Sequence, residues 1–201
     1  MNINIMNTNT ILPGNLHSIL VGLMLSDGSI YRFSKTSNCR FEMSFGAKYK
    51  QFAESIGDLF KEYVKNPVKL VQIKGANKVY NYYRLKTMTM PIFNYYHDIF
   101  YVFNTETSKY VKIVPDNILN FMDAIVLAYL IMGDGNYDSS RNRVRIYTNS
   151  YSKQDVEKLQ KAINEKLAIY VAVLHDRKDQ WILTIGATQL PKLQQIVSPY
   201  F

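Results

Sequence analysis

The alternation of apolar and polar residues in the first half of the chain predicts helices and strands in turn. An almost wholly apolar stretch over residues 16–27 predicts a helix that stops at Gly28. Two-residue alternation over 40–45 predicts a half-buried strand, and apolar residues at helical spacing over 48–64 predict an amphipathic helix. The remaining predicted elements of this half are strands over 68–74 and 79–87, a hairpin loop over 74–78 and a helix over 91–103.

The same order of elements begins again near residue 116. Its first helix, over 116–134, is again strongly apolar. The other predicted elements are a strand over 143–149, a helix over 152–167 with a Ser152-x-x-Asp155 capping signature, strands over 169–174 and 181–185, and a helix over 188–197. The pattern predicts a duplicated α+β chain, with residues 1–104 as the N-terminal half, 105–115 as a linker and 116–201 as the C-terminal half.

Two matched segments occupy equivalent places in the two halves. They are LVGLMLSDG at residues 20–28 and LAYLIMGDG at residues 127–135, which are 107 residues apart. A helix without a polar face requires burial on all sides, so each segment needs a packing partner. Small residues allow two helices to approach closely. These small residues are Gly22, Ser26, Ala128 and Gly133. We therefore expect the two helices to pack against each other.

Each apolar helix ends in an aspartate followed by a glycine, at Asp27 and Asp134. A carboxylate is unfavourable at the C-terminal end of a helix, where the helix dipole prefers cations. A divalent cation would remove this penalty, and two carboxylates with phosphate oxygens and waters suit Mg²⁺. Metal-assisted hydrolysis of a phosphodiester is the matching chemistry. An Asp-Gly turn explains one such ending, but the repetition on two equivalent helices favours a shared site.

The two segments resemble the paired motifs of the LAGLIDADG homing endonucleases in their single-chain, two-motif form, and the resemblance covers nearly the whole chain. It implies two αββαββα halves related by a pseudo-two-fold axis, motif helices packed at the centre, and two curved antiparallel sheets that form a DNA-binding saddle. It also implies that Asp27 and Asp134 bind the catalytic metals, and that the backbone carbonyls of Ser26 and Gly133 face these metals. The earlier acid of the motif is replaced in both halves.

The resemblance also points to a basic residue near the scissile phosphates. Lys112, three residues before Pro115, occupies the place where some single-chain members carry such a residue. A lysine there could stabilise developing phosphate charge or help to activate water. An ordinary linker lysine is the alternative interpretation. The symmetry-related lysine is expected after the C-terminal Ser-Pro-Tyr-Phe segment, and the sequence ends at Phe201 before supplying it.

The charge distribution favours a polyanionic partner. The net charge is +8, of which residues 1–101 contribute +6 and residues 102–201 contribute +2. Alternation places polar side chains together on one face of each predicted sheet. These candidate DNA-binding residues are Arg40, Glu42, Ser44, Tyr80, Tyr82, Arg84, Lys86, Arg143, Arg145, Tyr147 and Asn149. Such a face could lie in a major groove of double-stranded DNA. A merely solvated sheet face is the alternative.

Several further observations narrow the class of protein. The single cysteine, Cys39, excludes a disulfide framework and a cysteine-rich zinc site. The longest apolar run, residues 124–132, is too short to cross a membrane. The first 31 residues contain no Lys or Arg, so no targeting segment is expected. Abundant Asn, Lys, Ile, Tyr and Phe, which have AT-rich codons, suggest that an organelle genome, mitochondrial or chloroplast, encodes the protein.

Two functions remain open at this stage. The first is a site-specific, Mg²⁺-dependent DNA endonuclease that makes double-strand cuts in a long target and acts as a monomer with internal pseudo-symmetry. The second is a protein that has lost cleavage and binds RNA, either an intron maturase or a structural subunit of an RNA-protein assembly. Both functions use the same basic faces, but only the first requires the two aspartates.

Overall fold

The computed structural model describes residues 11–75 and 78–201. The N-terminal part of the chain contains α1 (Asn15–Leu25), β1 (Ser29–Arg32), β2 (Cys39–Gly46), α2 (Lys50–Leu59), β3 (Lys69–Lys74), β4 (Val79–Lys86), α3 (Asn94–Phe100) and β5 (Tyr101–Asn104), and the segment that follows contains β6 (Lys109–Lys112). The C-terminal half contains α4 (Ile118–Phe121), α5 (Ala124–Asp134), β7 (Gly135–Asp138), β8 (Arg143–Ile146), α6 (Lys153–Leu167), β9 (Ala172–His175), β10 (Trp181–Ile185) and α7 (Leu190–Val197). Residues 76 and 77 of the expected hairpin loop lie outside the described residues.

Two four-stranded antiparallel sheets show the duplication. Their strand orders are β1-β2-β4-β3 and β7-β8-β10-β9, so the two halves share one topology. In β2, the residues alternate between a covered face, where Phe41 and Met43 are buried, and an open face that carries Arg40 and Glu42. Helices cover one face of each sheet and leave the other face open. The expected α+β fold of two similar halves is confirmed.

The two motif helices α1 and α5 pack against each other at the centre of the molecule. A methyl group added at Gly22 would lie 2.7 Å from both the Tyr129 Cβ and the Val126 carbonyl oxygen. A methyl group added at Gly133 would overlap the Ser26 side chain. Because all of residues 18–25 are buried, α1 has no solvent-facing side in this stretch. The close packing expected from the small residues is therefore observed.

The structure differs from the sequence predictions at several element ends. The helix expected over 91–103 ends at Phe100, and the chain continues as β5, which pairs with β6. The helix expected over 116–134 is interrupted before Asp123, whose side chain accepts a hydrogen bond from the Val126 amide and so begins α5. Strand β8 ends at Ile146, three residues before the predicted end. No helix in the described part of the chain has the length and apolarity that a membrane span requires.

Candidate metal centre and nucleic-acid interface

Asp27 and Asp134 lie at the ends of the two central helices. Helix α1 ends at Leu25, and the amides of Ser26 and Gly28 both donate to the Leu23 carbonyl, so that the chain turns sharply and Asp27 is exposed. A Cβ atom at Gly28 would lie 2.6 Å from that same carbonyl oxygen. A Cβ atom at Gly135, after Asp134, would likewise clash with Ile131. The glycine after each aspartate is therefore required by close backbone approach.

The two carboxylates influence each other electrostatically. Burial of Asp134 and the negative charge of Asp27 raise the pKa of Asp134 to about 7, although Lys112 opposes this shift. An ordinary aspartate loses its proton near pH 4. Ionisation of Asp134 beside Asp27 is thus disfavoured in the metal-free centre. A bound divalent cation would favour it, because its positive charge stabilises both carboxylates.

Lys112 reaches this centre from the end of β6. Its Nζ atom donates hydrogen bonds to the carbonyl oxygens of Ser26 and Gly28, each at 2.7 Å. Burial lowers the pKa of Lys112 to about 8, against the attraction of Asp134 and Asp27. The Ser26 carbonyl, which is predicted to face a metal, accepts a hydrogen bond from the lysine. A carbonyl oxygen has a second lone pair, so this contact does not exclude a further ligand.

The donors at this centre fit a cation that is only partly held by protein. The described residues contain no cluster of three or more His, Cys, Asp or Glu side chains able to hold a metal. Two carboxylates with nearby backbone carbonyls match Mg²⁺, which keeps several waters and completes its shell with substrate phosphates. The same donors would not form a structural zinc site, which needs four protein ligands rich in nitrogen or sulfur.

Tyr151 is a contributor to the centre that sequence reasoning missed. It belongs to the C-terminal half, and its hydroxyl donates to the carbonyl oxygens of Met24 and Leu25 at 3.3 and 3.2 Å. These carbonyls belong to the last turn of α1, where no intrahelical donor remains. Burial raises the pKa of Tyr151 well above its usual value. No motif marks this tyrosine, because its role depends on a contact between the halves.

The candidate DNA-binding residues of the N-terminal sheet lie together on its open face. Strand register pairs Glu42 with Lys86 and Ser44 with Arg84, and the alternation continues to Tyr82 and Tyr80. The guanidinium groups of Arg40 and Arg84 both bind the Glu42 carboxylate. Burial of Glu42 opposes its ionisation, but hydrogen bonds from Arg84 and Arg40 lower its pKa below the usual value. Both arginines are thereby held in fixed positions.

The N-terminal open face also adjoins the centre. One cavity is lined by Asp27 together with open-face residues of three strands. These residues are Ser29, Glu42, Ser44, Tyr82 and Arg84. Ser29 and its neighbour Tyr31, on β1, were not among the predicted residues, because four residues are too few to show a clear period.

The open face of the C-terminal sheet is more fully neutralised. Arg143 pairs with Asp138 at 3.0 Å, and Arg145 pairs with Asp176 at 3.3 Å. The strand expected over 143–149 is wrong in its last part, since β8 ends at Ile146. Tyr147 and Asn149 nevertheless lie near this face. The Arg145 guanidinium is 5.5 Å from the Tyr147 ring centroid, and the Asn149 amide donates to Asp176 at 3.0 Å.

This face also meets the centre, because the Tyr147 amide donates to the Asp134 carbonyl at 2.9 Å. The fold and the site together define a class of duplicated, single-chain proteins in which two carboxylates lie next to two polar sheet faces suited to nucleic acid. Within this class, the chain belongs to the LAGLIDADG DNA endonuclease family, whose family model matches residues 17–193.

Curated relatives include both nucleases and a maturase. DNA endonuclease I-ChuI of Chlamydomonas applanata is 22% identical over 192 residues, which cover 90% of this chain and 88% of the relative. Cytochrome b mRNA maturase bI2 of Saccharomyces cerevisiae is 26% identical over 192 residues, which cover 92% of this chain. The match spans only 45% of the length of that maturase.

Solved structures share the fold. The homing endonuclease I-WcaI bound to its DNA recognition sequence superposes with a TM-score of 0.83 at 22% identity, covering 96% of this chain and 84% of that chain. I-DmoI in complex with DNA and Mn superposes with a TM-score of 0.57 at 18% identity, covering 90% of this chain and 94% of that chain. At these identities the likeness establishes the fold.

Proposed function

We propose that this protein is a homing-type DNA endonuclease that makes metal-dependent double-strand cuts in a long target. The observation that carries the proposal is the convergence of three groups at one point. The carboxylates of Asp27 and Asp134 and the ammonium of Lys112 meet where the two central helices end, next to the open faces of both sheets. Family membership supports this reading.

The proposed chemistry divides among these three residues. Asp27 and Asp134 hold divalent cations, with Mg²⁺ as the best match to their oxygen donors, and the carbonyls of Ser26 and Gly133 lie next to them in sequence. A bound cation would supply Lewis-acid polarisation of a phosphodiester. Lys112 is anchored by two carbonyls and places a positive charge beside the carboxylates, where it can stabilise negative charge that develops on a phosphate.

The sheet faces are proposed to hold the target. Arginine forks fixed by carboxylates, as in Arg40 and Arg84 on Glu42, are oriented to read base edges in a major groove. Tyrosine, serine and lysine side chains on the same faces suit phosphate contacts. On this reading, Arg143 and Arg145 serve the other half of the target, with Tyr147 and Asn149 beside them.

The test uses a plasmid that carries the insertion locus of the open reading frame. Wild-type protein with Mg²⁺ is expected to cut both strands, whereas Asp27→Asn and Asp134→Asn abolish cutting. Asp116→Asn is the matched control, because Asp116 is an exposed acid that lies outside both motifs and pairs with Lys158. Cutting by Asp27→Asn at the wild-type rate would contradict the proposal.

A second candidate function is supported by the similarity to the maturase, which extends over 92% of this chain. A maturase would bind its intron RNA through the same faces without needing the carboxylates. Tight binding of intron RNA that survives Asp27→Asn, combined with no cutting of the plasmid, would favour this function. The intron-encoded relatives also support our proposal that an organelle genome, mitochondrial or chloroplast, encodes the protein.

A further inference from the structure

The β5–β6 hairpin carries Lys112 to the centre, and the base of this hairpin has a second point of attachment. The strand register places Tyr101, the first residue of β5, directly opposite Lys112, the last residue of β6. Beyond this pair the Ile113 amide donates to the Phe100 carbonyl at 2.8 Å, so the pairing continues past Lys112. Residues that lie opposite each other in an antiparallel pair have Cβ atoms about 5 Å apart. The position of Tyr101 therefore determines that of the Lys112 backbone.

The Tyr101 side chain attaches the hairpin to β1. Its hydroxyl oxygen accepts a hydrogen bond from the Ile30 amide at 3.1 Å. Because β1 is an edge strand of its sheet, amides that point away from β2 need partners other than a strand. Ile30 is two residues after Gly28, whose carbonyl oxygen accepts from the Lys112 Nζ atom. The tyrosine and the lysine thus bind one short segment of chain, the one that carries Asp27.

The Tyr101 ring is itself held in place by an aromatic cluster. The His97 ring, on α3, stacks on it with the ring centroids 5.1 Å apart and an angle of 21° between the planes. His97 also meets the edge of the Tyr110 ring, on β6, at a centroid distance of 4.9 Å. Only 3% of His97 is exposed, so the cluster is packed and not solvated. This packing directs the Tyr101 hydroxyl toward β1.

A fixed backbone matters for Lys112 because a lysine side chain is long and flexible and carries its charge at a single point. The two carbonyl oxygens at 2.7 Å hold the Nζ end of the side chain. The Tyr101 attachment holds the backbone end. A displacement of about 1 Å in a reacting geometry can reduce a rate about 100-fold. A residue that fixes the lysine is therefore important even if it does not touch the reacting atoms.

We propose that Tyr101 is a positioning residue for the cutting reaction, because its hydroxyl bond to the Ile30 amide fixes the hairpin and thereby holds the Lys112 ammonium at the ends of the two central helices. The inference rests on the proposed function and adds to it a residue that acts through Lys112. A tyrosine that only supports the fold is the alternative, and it predicts a loss of stability that does not depend on Lys112.

The test is a double-mutant cycle on the full chain, with the variants Y101F, K112M and Y101F/K112M. Single-turnover cutting of the locus plasmid is measured with excess protein and Mg²⁺. K112M is expected to reduce the rate by about 100-fold, as does the loss of one group that stabilises developing charge. Y101F is expected to reduce the rate by about 10-fold. The double variant should cut no more slowly than K112M, because Tyr101 acts through that lysine.

Two controls separate positioning from support of the fold. The affinity of Y101F for a labelled duplex of the same locus, measured by anisotropy without divalent cations, should equal that of the wild type. Y110F removes a hydroxyl from a half-exposed ring on the same hairpin, and it should cut at the wild-type rate. A wild-type rate for Y101F would overturn the proposal, as would a double variant about 10-fold slower than K112M.

The outcomes also separate this proposal from the proposed function. If K112M cuts at the wild-type rate while Asp27→Asn does not cut, the positioning of Lys112 by Tyr101 is overturned and the metal-dependent nuclease stands. If the wild type does not cut, the proposed function fails, and the same cycle is measured in Tm, which requires no activity. A Tm decrease for the double variant equal to the sum of the two single decreases would overturn the attachment of Lys112 by Tyr101, whereas a smaller decrease would support it.

Discussion

At the scale of single residues, Asp134 lies in surroundings that oppose its own charge. Its pKa of about 7 in the folded chain compares with an ordinary value near 3.8. Below about pH 4 the carboxyl is protonated in both the folded and the unfolded chain, and it contributes no pH dependence. Between about 4 and 7 the unfolded chain loses the proton while the folded chain keeps it, so stability falls as pH rises. Above about pH 7 the carboxyl is ionised in both states, and the full cost of its charge is subtracted from the stability of the folded chain.

Asp134→Asn should therefore stabilise the metal-free protein, and the gain in Tm should grow from pH 4 to 7 and then level off. Asp138→Asn is the control of opposite sign. Hydrogen bonds from Ser140 and Arg143 lower the pKa of Asp138 to about 2, so this variant should not stabilise at any pH above 4. Thermal melting over this pH range measures both effects. A Tm difference between Asp134→Asn and wild type that does not vary with pH would contradict the expectation.

Divalent cations give a second measurement on the same residue. Because a cation binds the folded state and not the unfolded one, Mg²⁺ should raise the Tm of the wild type. The increase should be larger at pH 8 than at pH 5, where Asp134 holds a proton. Asp134→Asn should lose most of this increase at both pH values. If Mg²⁺ raised the Tm of Asp134→Asn as much as that of the wild type, the cation would bind at a different site.

At the scale of elements, the contact between α1 and α5 depends on glycines that permit close approach. Gly22→Ala adds a methyl group where the backbone of α5 already lies, although alanine is the better helix former by about 1 kcal/mol. Overpacking typically costs about 1–3 kcal/mol. Because the added methyl group meets backbone, which cannot move aside easily, we expect the upper end of this cost, so that the free energy of unfolding falls by roughly 2 kcal/mol in denaturant titrations.

Gly186→Ala is the matched control, because nothing lies within 4 Å of the position of its added methyl group. We expect it to change stability by less than about 0.5 kcal/mol. If Gly22→Ala were as stable as Gly186→Ala, the two central helices would have to be further apart than the structure shows.

Tyr151 joins the elements in a different way, since it holds the end of α1 from the opposite half. Tyr151→Phe leaves the Met24 and Leu25 carbonyls without this donor and should cost about 1 kcal/mol of stability. It should also slow cutting, since Asp27 lies only two residues after Leu25, while DNA binding without divalent cations stays unchanged. Tyr170→Phe, at a largely exposed tyrosine, serves as the control. If Tyr151→Phe cut DNA at the wild-type rate, Tyr151 would have no role in positioning Asp27.

At the scale of the whole molecule, the two halves share one hydrophobic core but differ in how the charges on their open sheet faces are paired. Each motif helix is buried by the other, so neither half has a complete core of its own. We propose that residues 1–104 and 116–201 form the halves and that 105–115 joins them. The joining segment is itself partly structured, because β6 pairs with β5 and delivers Lys112 to the centre.

A protein cut to residues 1–115 should therefore not persist as a folded monomer. It would expose α1, whose residues Leu20, Val21 and Leu23–Leu25 are fully buried in the whole chain. An exposed apolar patch of this kind leads to association. We expect dimers or aggregates in size-exclusion chromatography with light scattering, and a monomer for the full chain. A folded, monomeric half would show that the central contact is dispensable.

The element scale shows where sequence reasoning was limited. Long, strongly periodic segments such as β2 and α6 were located well, because period is a local property. Residues 101–103 are predicted to be helical, yet they form part of a strand because a partner at 109–112 is available. Asp123 interrupts another predicted helix by capping α5, and the sequence does not reveal this start because apolar residues lie on both sides of Asp123.

The sequence by itself determined the duplication, the pairing of the two apolar helices and the two aspartates that end them, because each follows from a local pattern that occurs twice. It also determined which faces of the strands are polar, since alternation is fixed by the pleat. Only the tertiary structure decided which groups meet. The contacts of Lys112 and Tyr151 with the end of α1, and the ion pairs of Arg84 with Glu42 and of Arg145 with Asp176, depend on distances between residues far apart in the chain, and no local pattern encodes those distances.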